Sequence, residues 1–136
     1  MIILYELLQA AKEARLRAYA PYSHFPVGAA VQTVGGKIYS GCNIENASFG
    51  LTNCAERTAI FTAVAAGEQE LQAIAVVANT PEPVAPCGAC RQVMAEFGIQ
   101  TIIMANTKGD SHVASLKDLL PYSFIKFDVA GDDNHD

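Results

Sequence analysis

Two short segments carry the residue types that metal chemistry needs. Asn53-Cys54-Ala55-Glu56-Arg57 sets a thiol two residues before a carboxyl, and Pro86-Cys87-Gly88-Ala89-Cys90-Arg91-Gln92 sets two thiols three residues apart. Cysteines three apart share one side of a helical turn, so both sulfurs reach one metal. Each segment falls at the expected start of a helix. Free N–H groups and the positive end of the helix dipole stabilise thiolates there. Cys54, Cys87 and Cys90 together offer three sulfurs to one zinc ion per chain. A fourth tetrahedral position stays open for water, as in catalytic rather than structural zinc sites.

Glu56 lies close enough to that metal to take a proton from an activated water and pass it on, without being a ligand. Three thiolates outweigh the charge of one Zn²⁺ and weaken it as a Lewis acid. A nearby cation is expected to offset them. Arg57, directly after Glu56, is the expected donor to the ligand sulfurs; Arg91 is the other arginine beside a ligand. A lone Cys-x-x-Cys also serves as a redox pair or as half of a closed zinc site, and Cys42 as a fourth ligand would close this one. Cys42 sits in strand alternation near Ile38 and Ser40, where a small buried residue is the ordinary reading.

The elements that must position these groups follow from periodicity and from Gly/Pro punctuation. Leu4, Leu7, Leu8, Ala11, Ala14 and Ala18 form one apolar face of a helix over 2–18. Pro21 and Pro26 bracket a non-helical stretch holding Tyr22, His24 and Phe25. Strands are expected at 27–34 and 37–43, with Gly35-Gly36 as a two-residue hairpin turn. The polar segment 43–53 reads as a loop, 54–66 as a helix stopped by Gly67, and 71–78 as a buried strand. A proline-rich loop at 80–86 leads to a helix over 87–97 closed by Gly98, and then to a strand at 100–105. The turn at 106–110 is too short for a parallel crossover, so the strand at 112–116 is expected to close an antiparallel hairpin. A short helix at 117–120 ends at Pro121. The predicted fold is α/β: a three-layer sandwich with a mixed five-stranded sheet covered by helices on both faces.

The chain has 136 residues, 51 % apolar and 17 % charged, which suits one globular domain over 1–136 with an acidic, frayed end from about 128. Nine Lys+Arg stand against fourteen Asp+Glu, for a net charge of −5 and a pI near 5.1. No basic run is present to grip a phosphate backbone, so a small substrate is expected and a nucleic acid is not. No apolar run reaches membrane-spanning length, and the charges from Glu6 onward interrupt any secretory leader. The expected location is cytoplasmic, where cysteines serve as ligands or catalysts more often than as disulfides.

Cys-Ala-Glu followed by Pro-Cys-Gly-Ala-Cys resembles the zinc signature of the cytidine deaminase superfamily, in which hydroxide on zinc attacks the ring carbon bearing the amine and a non-ligand Glu shuttles protons. Ala20-Pro21-Tyr22-Ser23-His24-Phe25-Pro26-Val27-Gly28-Ala29-Ala30 and Gly41-Cys42-Asn43-Ile44-Glu45-Asn46-Ala47-Ser48-Phe49 resemble its short, free-nucleoside branch, and the likeness runs from about Tyr5 to Phe124. The antiparallel closing hairpin agrees with that branch. The resemblance implies a homotetramer that deaminates cytidine and deoxycytidine in pyrimidine salvage. It implies ribose recognition by Asn43 and Glu45, Phe25 against the pyrimidine, and the Ala55 N–H on the base carbonyl. It also implies a carbonyl near Pro86 on the exocyclic amine and Phe124 reaching in from a neighbouring subunit. Read without it, Asn43 and Glu45 are equally well loop residues making local turn bonds. Phe49 stands where many relatives have Tyr, and the residues after Phe124 follow no pattern of the family. The three histidines lack ligand spacing; His24 lies near the site and His135 in the tail. The alternatives are a blasticidin S deaminase of the same fold and a non-catalytic zinc module.

Overall fold

Side chains of the central strands alternate between two apolar cores, one on each face of the sheet. The computed structural model describes residues 2–126. The chain runs α1 (Leu4–Arg15), β1 (Val27–Thr33), β2 (Ile38–Cys42), a single 3₁₀ turn (Phe49–Leu51), α2 (Ala55–Ala65), β3 (Leu71–Ala78), α3 (Gly88–Glu96), β4 (Thr101–Asn106), β5 (Ser111–Ser115) and α4 (Leu116–Leu119). The five strands form one sheet in the order β2-β1-β3-β4-β5. Only β3 and β4 pair in parallel; β1 pairs antiparallel with β2 and β3, and β5 antiparallel with β4. The expected mixed sheet, its two helical layers and its closing hairpin are all present.

Ala30, Ala73, Ala75, Val77, Ile103 and Ala105 face Leu7 and Ala11 of α1. The alternate positions, Ala29, Val31, Ile74, Val76, Ile102 and Met104, face Ala59, Ile60, Cys90 and Met94 of α2 and α3. Each buried Ile or Val contributes about 1.5–3 kcal/mol over leaving it exposed. Alanines dominate the α1 side, so that helix sits close to the sheet. Closest approach is at two glycines. A Cβ on Gly28 would lie 2.0 Å from the Ala11 carbonyl oxygen, and one on Gly41 would lie 2.4 Å from the Ala59 nitrogen.

Element ends shift where backbone bonding overrides pattern. The first helix begins at Leu4 and ends at Arg15, because the next amides fold back: Leu16 N donates to Glu13 O and Arg17 N to Ala14 O. The β1–β2 connection has three residues rather than two. Thr33 N donates to Lys37 O at 2.8 Å and Gly36 N to Thr33 O at 3.0 Å, so the loop is Val34, Gly35 and Gly36. Gly36 alone takes positive φ, +99°, as a three-residue hairpin needs. Periodicity gave no sign of the 3₁₀ turn at Phe49–Leu51 inside the expected loop. The expected frayed tail from 128 and His135 lie outside the described residues.

Candidate active site

Both helix starts place cysteine at the N-cap. Cys54 and Cys87 have extended backbone, with φ −72° at each, and α2 and α3 begin at the next residue. Cys90 is the third residue of α3 and is buried. Cys54 Sγ lies 4.0 Å from Cys87 Sγ, Cys87 Sγ lies 3.5 Å from Cys90 Sγ, and all three sulfurs fall within 4.8 Å of one another. Sulfurs each about 2.3 Å from one tetrahedral centre would stand about 3.8 Å apart. The trio therefore fits a single zinc ion. Among the described residues no fourth ligand joins it: Cys42 is half-buried in β2 and outside the cluster. An open position remains.

Arg57 Nη2 donates to Cys54 Sγ at 3.3 Å. The Cys90 thiol and the Arg57 guanidinium together pull the Cys54 thiol down to about 5. The Cys90 thiol shifts the opposite way, raised by its bond to Cys54 and by burial. The expected arginine is thus the one beside the sulfurs. Arg91 instead donates through Nε to Pro86 O at 2.8 Å and through Nη1 to Leu119 O at 2.7 Å, tying the loop before Cys87 to α4.

Glu56 is 5 % exposed, and burial pushes its carboxyl up to about 7. It opens into a cavity of about 310 Å³ lined also by Ser23, Phe25, Val27, Asn43, Glu45, Thr52, Cys54, Ala55, Val84, Ala85 and Cys87. That volume is at the lower end for small-molecule sites. Two backbone bridges bring its walls together. Ile44 and Asn53 exchange N–H···O bonds at 3.0 and 2.9 Å, while Tyr19 N donates to Asn43 O and Glu45 N to Tyr19 O. The residue after β2 is therefore held beside the residue before Cys54.

Asn43 and Glu45, two apart on an extended segment, point to the same side and staple the Pro21–Pro26 loop. Asn43 Nδ2 donates to Phe25 O at 2.9 Å, and its Oδ1 accepts from Val27 N at 2.8 Å. Glu45 Oε1 accepts from Tyr22 N at 2.9 Å and Ser23 N at 3.1 Å, and Oε2 accepts from Ser23 Oγ. Ser23 and the two backbone amides hold the Glu45 carboxyl below its usual value. Both residues thus line the cavity while making the local bonds that their types favour.

The remaining expected residues separate. Ala55, first residue of α2, lines the cavity with Phe25. Pro86 itself is buried, does not line the cavity and has its carbonyl taken by Arg91, but Ala85 beside it lines the cavity. His24 is exposed, adopts φ +57°, and does not line the cavity either. Phe124 is 74 % exposed and lies outside the cavity of its own chain; its carbonyl accepts from Gln92 Nε2 at 2.6 Å. Ser23, Thr52 and Val84 were not singled out from the sequence. Ser23 lies between Pro21 and Pro26, and nothing in its spacing marks a contact with Glu45.

The family model described as cytidine and deoxycytidylate deaminase zinc-binding region matches residues 2–106. A cytidine deaminase of Sporosarcina psychrophila is 52 % identical over 127 residues, covering 92 % of this chain and 93 % of that one. A cytidine deaminase of Halalkalibacterium halodurans is 50 % identical over 125 residues, covering 90 % and 95 %. The crystal structure of cytidine deaminase from Burkholderia pseudomallei superposes with a TM-score of 0.86 at 55 % identity, covering 91 % of this chain and 100 % of that one. With its three-cysteine zinc site at two helix starts, this chain belongs to the cytidine and deoxycytidylate deaminase family.

Proposed function

We propose that the chain hydrolyses cytidine and deoxycytidine to uridine and deoxyuridine with release of ammonia, as a step of pyrimidine salvage. One observation carries this reading: three sulfurs are spaced for one metal, and two of them, Cys54 and Cys87, line the same cavity as a buried carboxyl, an aromatic wall and a polar far end. Zinc, when bound by Cys54, Cys87 and Cys90, supplies Lewis acidity toward a water.

The chain's own residues do the rest. Glu56, at the dry end of the cavity, takes the proton of the attacking water, delivers it to the ring nitrogen and then serves the leaving amine. The Ala55 N–H, unpaired within the first turn of α2, faces the base carbonyl. Phe25 packs on the pyrimidine, a contact worth about 1–3 kcal/mol for stacked bases. Glu45 and Asn43 present a carboxylate and an amide to the sugar hydroxyls, using the lone pairs and N–H left over from the loop bonds. Arg57 draws charge from Cys54.

Residues 1–136 act as one domain in this reading, and four copies assemble. Tyr22 and Phe49 are exposed beside the cavity residues Ser23, Glu45 and Thr52, their rings 6.4 Å apart, and Phe49 is 78 % exposed. An exposed aromatic pair beside the site favours a covering neighbour, and the exposed Phe124 is the residue that neighbour would bring. The acidic balance favours a free nucleoside over a polynucleotide. No described helix is long and apolar enough to cross a membrane; a cytoplasmic location completes the reading. The test is a panel of cytidine, deoxycytidine, their monophosphates, adenosine and blasticidin S. Turnover confined to the two nucleosides is expected, and preference for any other member overturns the assignment.

A further inference from the structure

Three donors converge on one carboxylate at the far end of the cavity. Glu45 Oε1 accepts two backbone N–H groups, from Tyr22 and Ser23, and Oε2 accepts the Ser23 hydroxyl. An ionised carboxylate has about four lone-pair sites and no proton to give. One accepting direction therefore remains, and it is on Oε2, the oxygen that Ser23 Oγ fixes.

The same hydroxyl has a second partner. Ser23 Oγ accepts from Phe25 N at 3.0 Å. Its single proton goes to Glu45 and its lone pair goes to the backbone of the aromatic wall, so the polarity of both bonds is set. Ser23 also lines the cavity directly, next to Glu45 and Phe25. The Tyr22 and Ser23 amides would still hold Oε1 without the hydroxyl, but nothing else among the contacts described would orient Oε2. The segment is a turn whose next residue, His24, sits at φ +57°, a conformation that persists only when surrounding bonds enforce it.

We propose that Ser23 is a positioning residue for substrate. Its hydroxyl orients the Glu45 carboxylate and anchors Phe25 in one geometry, so that the sugar contact and the base contact are set together before the nucleoside arrives. This rests on the reading of Glu45 as acceptor for a sugar hydroxyl. Ser23 is the side chain through which the two ends of the substrate are coupled, although it touches neither the metal ligands nor Glu56.

The experiment compares wild type, Ser23→Ala, Ser23→Thr and Glu45→Gln on cytidine, 2′-deoxycytidine and 3′-deoxycytidine. Ser23 is exposed on a loop, so Ser23→Ala is expected to keep wild-type zinc content and melting temperature. A hydrogen bond to a charged group corresponds to roughly tenfold in affinity. Ser23→Ala should accordingly raise KM for cytidine about tenfold while kcat stays within about twofold. Ser23→Thr, which keeps the hydroxyl, should restore most of the loss. The decisive sign is on the analogues. The deoxynucleoside lacking the hydroxyl that Glu45 accepts should show a smaller Ser23→Ala penalty than cytidine, keeping only the part transmitted through Phe25. An equal penalty on all three nucleosides, none on cytidine, or a Thr variant as poor as Ala overturns the proposal. Glu45→Gln separates the two failures. If it discriminates among the nucleosides and Ser23→Ala does not, the coupling through Ser23 is wrong. If it does not discriminate, the sugar role of Glu45 is wrong and the proposal falls with it.

Discussion

Arg57 Nη2 donates to Cys54 Sγ across 3.3 Å. The N-cap and first turn of α2 thus bring together a ligand, a buried carboxyl and a cation bonded to that ligand. The Arg57 Nε is buried without a hydrogen-bond partner, and the bond to the Cys54 sulfur runs through the outer nitrogen Nη2. The arrangement answers the charge imbalance of an all-thiolate site.

Replacing that arginine should therefore change the metal's behaviour more than its retention. Arg57→Ala is expected to keep zinc but lose roughly 10–100-fold in kcat near neutral pH, the usual range for groups that orient or tune ligands. Sulfur charge no longer shared with the guanidinium goes to the metal and makes it a poorer acid. The rising limb of the pH–rate profile should then move to higher pH, with part of the activity regained there. A profile of unchanged position would remove Arg57 from the account.

Much of this site was legible because its chemistry is local. Cys87 and Cys90 are one turn apart, and Cys54 and Glu56 share a helix start, so spacing brings each pair together, while the fold joins the two pairs across 33 residues. The hairpin of β4 and β5 was legible too, because a short turn forbids a parallel return. What spacing could not show is pairing across long separations. The Ser23–Glu45 bond spans 22 residues and depends on the Tyr19–Ile44–Asn53 bridges, which are backbone contacts without a side-chain signature. Nor could the double use of Asn43 be read: amide and carbonyl both bond to the loop that holds Phe25, and the residue still lines the cavity. The three-residue hairpin at Val34–Gly36 escaped because two glycines look alike in sequence, whereas only Gly36 needs positive φ.

Gly41 gives a prediction about the scaffold. Its absent Cβ is where α2 crosses β2, and a methyl there would meet Ala59 N at 2.4 Å and Thr58 C at 2.8 Å. These are backbone atoms and cannot rotate away. Gly41→Ala should destabilise by about 1–3 kcal/mol or more, as overpacking does, and should weaken zinc because Cys54 caps the displaced helix. Thermal melting and zinc analysis check this. A variant with wild-type melting temperature and full zinc would show that α2 does not need this approach.

Phe124 gives a prediction about assembly. It is exposed and outside its own chain's cavity. Phe124→Ala should raise KM, and light scattering of the wild type should give four chains per particle. Mixed with Glu56→Gln and allowed to exchange subunits, Phe124→Ala should regain activity, because an inactive neighbour still supplies its aromatic. A mixture no more active than the sum of its parts, or a fully active monomer, contradicts the trans role.

In the proposed mechanism three thiolates hold one zinc while Glu56 moves the protons. The most direct measurement pairs zinc content with cytidine turnover, followed by ultraviolet absorbance and ammonia release, in wild type and Glu56→Gln. The wild type should hold one zinc per chain and release one ammonia for each uridine formed. Glu56→Gln should hold the same zinc and show turnover reduced by at least about 100-fold. A wild-type protein that binds zinc tightly and leaves cytidine unchanged, or a Glu56→Gln protein as active as wild type, would contradict it.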